Sequence, residues 1–412
     1  MKEVATKHTH IFVLCLSLVC LIIFFIFLPK VFSDHYVFKE NTVSTRLATT
    51  TVQEAVFAPS YVATPDSVKG IYMTSWVAGT PKLREALVKL TQETELNSIV
   101  IDIKDYSGKI IFPVTTPELK AYGSEEVRAK DLRDFIESLH KKGIYVIGRA
   151  AVFQDAYFVT FRPDLAVKNK TGTTTWKDHK GISWIDAGAK EYWDYIILIT
   201  KEARKIGFDE INFDYIRFPS DGDMKDISYP VSSTTPKSVV LQNFFKYLHD
   251  NLKNPDVTVG ESTGASSLKI SADLFGMVTT AQDDMGIGQV LEKALPYFDY
   301  IDPMVYPSHY PPTFEGFKEP EAHPYEVVFA AMKSAVDRAD AFEQMASTTN
   351  PIIEPGIHYR ARLRPWLQDF GLRQTYGPDE VKAQIKATND VHLSSWILWS
   401  ASNKYTRGAL VP

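Results

Sequence analysis

Residues 207–222 read GFDEINFDYIRFPSDG, and the fold follows from how this stretch alternates. Ile211 and Phe213 alternate with Asn212 and Asp214, so a short strand presents one apolar and one polar face. An acid, an aromatic and an arginine then precede the turn residues Pro219 to Gly222. A buried strand ending this way suits a (β/α)8 barrel, where reacting groups gather on the inward face at the carboxyl ends of the strands.

Working outward, the chain after Lys69 repeats the pattern. β-rich runs at 70–76, 97–105, 144–153, 210–216, 269–275, 299–307, 351–359 and 394–401 alternate with helical stretches, as parallel strands with crossover helices do. Eight such runs predict an α/β protein, a closed TIM (β/α)8 barrel. Leu132, Phe135, Ile136 and Leu139 recur at helical spacing, and Gly143 stands where a glycine ends a helix. Similar helices are expected near 189–205, 237–252 and 379–388. No glycine-rich phosphate turn follows the first strand and no Walker motif occurs, which argues against a dinucleotide-binding sheet. The run DVTVGESTG (256–264) reads as an insertion before the fifth strand. Taken as a strand it would be a ninth, with Glu261 at its end.

A chain of 412 residues, 45% hydrophobic, can bury one large core, and a net charge of -5 without a basic tract excludes nucleic acid as an expected partner. Lys2 and Lys7 precede an apolar run from Ile11 to Leu28, near the lower length for crossing a bilayer. No Ala-x-Ala cleavage pattern is evident, so an uncleaved anchor is expected in preference to a signal peptide. The expected organisation is a cytoplasmic tip and transmembrane anchor at 1–32, a flexible linker at 33–67 and the barrel at 68–412. This makes a single-pass protein of the cell membrane, with its carboxyl-terminal domain extracytoplasmic. Tyr61 and Val62 are apolar enough to cover the barrel base. Cys15 and Cys20 both lie in the apolar run, leaving the exported part without disulfide or thiol chemistry.

The strand ends supply paired carboxyls, the requirement of glycoside hydrolysis: one kept protonated, one ionised. Asp214 is the expected ionised member, with Arg217 nearby to favour its charge. Asp273, beside Leu274 and Phe275, is the expected proton donor; Glu261 and Asp302 compete with it. Asp302 precedes Pro303 and has a turn-capping reading as well. For substrate binding, Asp102, Arg149 and Asn212 lie near strand ends, and the loop after the sixth strand brings Tyr306, Ser308, His309 and Tyr310. After the expected seventh strand come Arg364, Trp366 and Gln368, and at the eighth Trp399 and Asn403. Trp366 and Trp399 are candidate sugar platforms, Trp396 a core residue. Asp102, Lys104 and Asp105 form a compensated charge cluster for binding substrate hydroxyls or for holding the mouth together, with Lys104 the structural member. His309, His323 and His358 are too scattered for a metal site, and no cofactor is expected.

Taken together, IDIKD, GRAAVFQD, INFDYIRFPSDG, SADLFG, DDMGIGQV, DPMVYPSHY, RPWLQDF and ILWSASNKYT resemble the bacterial putative glycosyl hydrolase barrel domain, from Gly70 to Arg407. The resemblance implies a TIM barrel acting on glycans. GFDEINFD is partly similar to the fourth-strand motif of the alpha-amylase clan, with Asp214 in the nucleophile position, but Asn212 stands where that motif has arginine and Glu210 where it has glycine. Against the chitinase-like barrels, Asn212 replaces the middle acid and Ile216 the acid-base glutamate. The expected function is membrane-anchored hydrolysis of an extracytoplasmic polysaccharide. The alternatives are a non-catalytic glycan-binding barrel of the cell envelope and a metal-dependent carbohydrate esterase.

Overall fold

The computed structural model describes residues 57–253, 268–349 and 358–412. The chain divides into two units, Met1–Phe57 and Ala58–Pro412. The expected anchor at 1–32, the linker up to residue 56, the insertion at 256–264 with Glu261, and 351–357 of the expected seventh strand lie outside the described residues. Among the described residues no helix is long and apolar enough to cross a membrane.

In the second unit, parallel strands close in sequence order into a barrel: β1 (Lys69–Met73), β2 (Ser98–Lys104), β3 (Tyr145–Ala151), β4 (Glu210–Asp214), β5 (Lys269–Phe275), β6 (Tyr300–Met304), β7 (Trp366–Gln368) and β8 (Trp396–Trp399). Helices α1 (Pro81–Gln92), α2 (Leu132–His140), α3 (Lys190–Lys205), α4 (Lys237–Leu252), α5 (Pro324–Thr349) and α6 (Pro378–Asp390) form crossovers, and a single turn, Leu291–Ala294, joins β5 to β6. The period of two sorts the strand side chains. Ile99, Ile101 and Ile103 of β2 belong to the apolar layer between barrel and helices, whereas Val100 packs inside with Tyr72, Ile147, Trp366 and Ile397.

Two strand expectations need correction. The seventh strand is Trp366–Gln368, not 351–359; it pairs with β6 only through Met304 and Trp366, and with β8 through three residue pairs. Pro365 lacks the N–H that would extend the strand backwards, and three residues are too few to show a period. β4 stops at Asp214 rather than 216, because Tyr215 takes a left-handed conformation, φ 53°. A bulky residue at positive φ stores backbone strain directly after the first candidate acid.

The barrel unit also starts earlier than residue 68. Tyr61 donates to the Arg204 carbonyl at 2.9 Å and lies under that guanidinium at 3.4 Å. The Val62 N–H donates to Asp209 at 2.8 Å, and the Val68 N–H to Ser395 at 3.0 Å. Residues 58–68 therefore line the amino ends of the strands, as the apolar character of Tyr61 and Val62 predicts.

Candidate active site

The barrel interior is polar in layers, built by inward positions of successive strands. Nearest the base, Arg364 before β7 bonds Glu210 of β4 at 2.5 Å and Asp302 of β6 at 2.7 Å, with all three side chains fully buried. One step up β4, the Asn212 amide points its N–H groups at Ser271 (3.1 Å), Asp273 (2.8 Å) and Asp302 (3.1 Å).

At the next step Arg149 of β3 bridges three strands. Its Nη1 donates to Asp102 at 2.6 Å, its Nε to Asp214 Oδ2 at 3.1 Å, and its Nη2 to that same Asp214 oxygen. The Tyr215 N–H donates to Asp214 Oδ1 at 2.5 Å, so the turn after β4 also holds the acid. Arg217, expected nearby, makes no ion pair with Asp214: its guanidinium bonds the Phe218 carbonyl and Ser220, while the Asp214 charge still acts on it from a distance.

Asp273 of β5 is held differently. Its Oδ1 accepts from Asn212 and, at 2.7 Å, from the Trp366 indole, while Oδ2 stands 3.8 Å from Arg149 Nε. Burial lifts its carboxyl well above the carboxylate range, and the charges of Asp214 and Asp302 add to that, against a smaller opposing pull from Arg149. Burial also raises Asp302, to about 6, although Arg364 opposes it. Asp102 is raised too, again by burial first.

Above these groups lies a cavity of about 340 Å³, open at the carboxyl ends of the strands. Of the residues singled out in the sequence, Asp214, Asp273, Arg149 and Arg217 line it, as do Tyr306, His309, Tyr310, Trp366 and Trp399. Trp399 stacks on Tyr72 with ring centroids 4.1 Å apart. Trp366 is only 1% exposed and spends its N–H on Asp273, so it supports the acid rather than offering a stacking face.

Seven other candidates lie around or beneath the cavity rather than on its wall. Asp102, Asn212, Asp302 and Arg364 belong to the layers just described. Ser308 and Gln368 bond one another through the Ser308 N–H at 3.0 Å, and Asn403 braces the Thr74 N–H at 2.9 Å. Lys104, as expected, is structural: it pairs with Asp155 at 2.9 Å, both side chains fully buried.

Sequence reasoning missed Gln154, Asp178, Lys180 and Tyr215 on the wall. Asp178 accepts from Gln154 at 2.8 Å and from Trp184 at 3.0 Å, a contact between chain segments that no local period reveals. Gly276 on the opposite wall was equally silent. A Cβ there would stand 2.3 Å from the Met304 carbonyl oxygen, so only glycine lets the segment after β5 approach β6 so closely.

A larger cavity, about 840 Å³, opens at the amino ends of the strands beside Lys269, Tyr300 and Ser395. Neither Asp214 nor Asp273 lines it, and that end of a barrel carries stability rather than chemistry. Among the described residues no cluster of three or more His, Cys, Asp or Glu side chains is disposed to hold a metal ion.

Comparison with known proteins agrees with this architecture. A family model described as "Putative glycosyl hydrolase domain" matches residues 70–405. A hypothetical protein from Ruminiclostridium thermocellum is 30% identical, over 53% of this chain and 98% of that one, with a TM-score of 0.42. The PgaB (BpsB) glycoside hydrolase domain from Bordetella bronchiseptica is 12% identical, over 82% of this chain and 94% of its own, with a TM-score of 0.55. Alpha-L-fucosidase isoenzyme 2 from Paenibacillus thiaminolyticus is also 12% identical, over 84% of this chain and 47% of its own, with a TM-score of 0.51. At such identities the last two likenesses establish the barrel alone. No curated protein matches the chain.

Proposed function

The chain belongs to the family described as putative glycosyl hydrolase domains, and from that membership we propose that it cleaves an extracytoplasmic polysaccharide with Asp214 as nucleophile and Asp273 as acid-base. One observation carries the reading. Two carboxyls on adjacent strands face one cavity in opposite environments, Asp214 against a guanidinium and Asp273 buried and held towards its neutral form.

The chemistry follows from the bonding. Because both side-chain hydrogen bonds to the Asp273 carboxyl converge on Oδ1, and Oδ2 has only Arg149 Nε at 3.8 Å, the proton is assigned to Oδ2, ready for the glycosidic oxygen. As the C–O bond breaks, an Asp214 oxygen bonds the anomeric carbon; water, deprotonated by Asp273, then cleaves that ester. The two Oδ2 atoms lie 3.1 and 3.8 Å from the same Arg149 Nε, so they stand no farther apart than those distances combined. That upper bound includes the separation of about 5 Å used by retaining enzymes and reaches only the lower edge, about 6.5 Å, of the inverting range. Arg149 would hold the nucleophile in place and temper its charge beside the acid.

Tethering to the membrane through the apolar run Ile11–Leu28 is part of the proposal and rests on the sequence. The test is incubation with a panel of bacterial and plant polysaccharides, followed by mass spectrometry of released oligosaccharides. Wild type is expected to release products with retained anomeric configuration, and Asp214→Asn to lose at least about 100-fold in rate. Undiminished hydrolysis by Asp214→Asn would remove the assignment. Saturable binding without products from any glycan would favour a binding barrel.

A further inference from the structure

Arg217 is a cation built into the cavity wall without a carboxylate in ion-pair contact. Its guanidinium lies 4.9 Å from the Trp184 ring centroid and 5.5 Å from that of Tyr215, two rings that meet edge to face. Nη1 takes both of its hydrogen bonds, to the Phe218 carbonyl at 3.1 Å and to Ser220 Oγ at 3.0 Å. Among the described residues Nε and Nη2 make no hydrogen bond, and no carboxylate stands within ion-pair distance of the group. The Nε–Nη2 edge offers two parallel N–H groups, the fork that takes both oxygens of a planar carboxylate.

The acids nearby do not fill this role. Asp214 is engaged by Arg149 and the Tyr215 N–H. Asp178 is saturated by Gln154, Trp184 and the N–H groups of Lys180 and Ile182. Asp221 is exposed on the same wall and acts on Arg217 only from beyond ion-pair distance. Lys180, on the same wall, likewise pairs with no carboxylate among the described residues, which gives this flank a second cation. Burial presses the Arg217 guanidinium below its ordinary value despite the acids around it, so the charge is short of compensation where it stands.

We infer that the Arg217 flank binds a carboxylate carried by a sugar in this cavity, so that the substrate is an acidic polysaccharide. The inference rests on the reading of the cavity as a glycan site and names the class of glycan. Two sources share this chemistry: the C6 carboxylate of a uronic acid and the lactyl carboxylate of a muramic acid. With a neutral glycan the fork would be left facing hydroxyl groups or water; with an acidic one it gains a charge-assisted pair walled by two aromatic rings.

The test is equilibrium binding of the full chain to polyuronates, a uronate-containing heteropolymer and muramic-acid-containing glycan strands, each paired with its carboxyl-reduced form. The expected result is at least about tenfold tighter binding to one acidic member than to its reduced form. Arg217→Gln should erase that ratio, and Arg217→Lys should restore part of it, since charge returns without the fork. Equal binding of both forms, an undiminished ratio in Arg217→Gln, or binding to no acidic glycan would overturn the inference. Circular dichroism of both variants checks that the fold persists. The two readings fail separately: products from neutral glycans without acid preference sink only the acidic class, and Arg217-dependent retention without products sinks only the hydrolysis.

Discussion

The reactivity proposed for this barrel turns on one proton, that of Asp273. Its carboxyl is lifted by burial and by the neighbouring acids, so it keeps its proton to higher pH than an exposed aspartate. A general acid works only while protonated, so kcat should fall as pH rises through that elevated value. Asp273→Asn should remove this alkaline limb and lower the rate by about 10²- to 10⁴-fold, measured as kcat across the pH range. Stability follows the same sign. The unfolded carboxyl ionises first, so Asp273 favours the fold below the ordinary aspartate value and loses that contribution as pH rises through its own. That Asp214 and Asp273 would line one cavity was legible because period-two alternation puts Asn212 and Asp214 on one face and because Asp273 ends the fifth strand beside Leu274 and Phe275. The bonds of Arg149 to Asp102 and Asp214 were not, because those partners lie 47 and 65 residues away and only barrel closure joins them.

At the scale of elements, the strands carry more than apolar packing. Arg364, placed just before β7, neutralises Glu210 of β4 and Asp302 of β6 across the barrel. Replacing it by Met leaves two buried carboxyls without their cation, and chemical denaturation should show a loss of about 3–5 kcal/mol. Combining Arg364→Met with Glu210→Gln and Asp302→Asn should recover part of this, since the loss arises from uncompensated charge rather than missing volume. The Gly276 contact makes a second demand. Gly276→Ala puts a methyl against the Met304 carbonyl, and a cost of about 1–3 kcal/mol should appear in the same assay, with weaker glycan binding if the cavity wall shifts. Long elements were readable: β5 runs Lys269–Phe275 and α4 Lys237–Leu252, as their periods predict. β7 was not, because three residues carry no period and their inward groups, Trp366 and Gln368, serve the interior network and a neighbouring loop instead of a uniform core.

For the barrel unit as a whole, the segment before β1 belongs to the folded structure. Asp209 at the amino end of β4 is 2% exposed and accepts from the Val62 N–H, from the Val146 N–H at 2.8 Å and from the His140 ring at 3.0 Å, while His140 Nδ1 meets Ser60. One buried acid thus joins the entering segment, α2, β3 and β4. A chain beginning at Lys69 would lose the bonds of Ser60, Tyr61, Val62, Ser67 and Val68 and leave Asp209 one donor short. At roughly 1 kcal/mol for each such bond, it should unfold about 4–8 kcal/mol more easily than one beginning at Ala58. Urea unfolding of both lengths, with and without Asp209→Ala, separates this contribution from ordinary end effects. If the contact holds the barrel base, the penalty of truncation shrinks once Asp209 is gone, because both changes remove the same bond. A penalty unchanged by Asp209→Ala would instead place the stabilisation in the apolar cover of Tyr61 and Val62, and equal stability of the two lengths would return residues 58–68 to the linker.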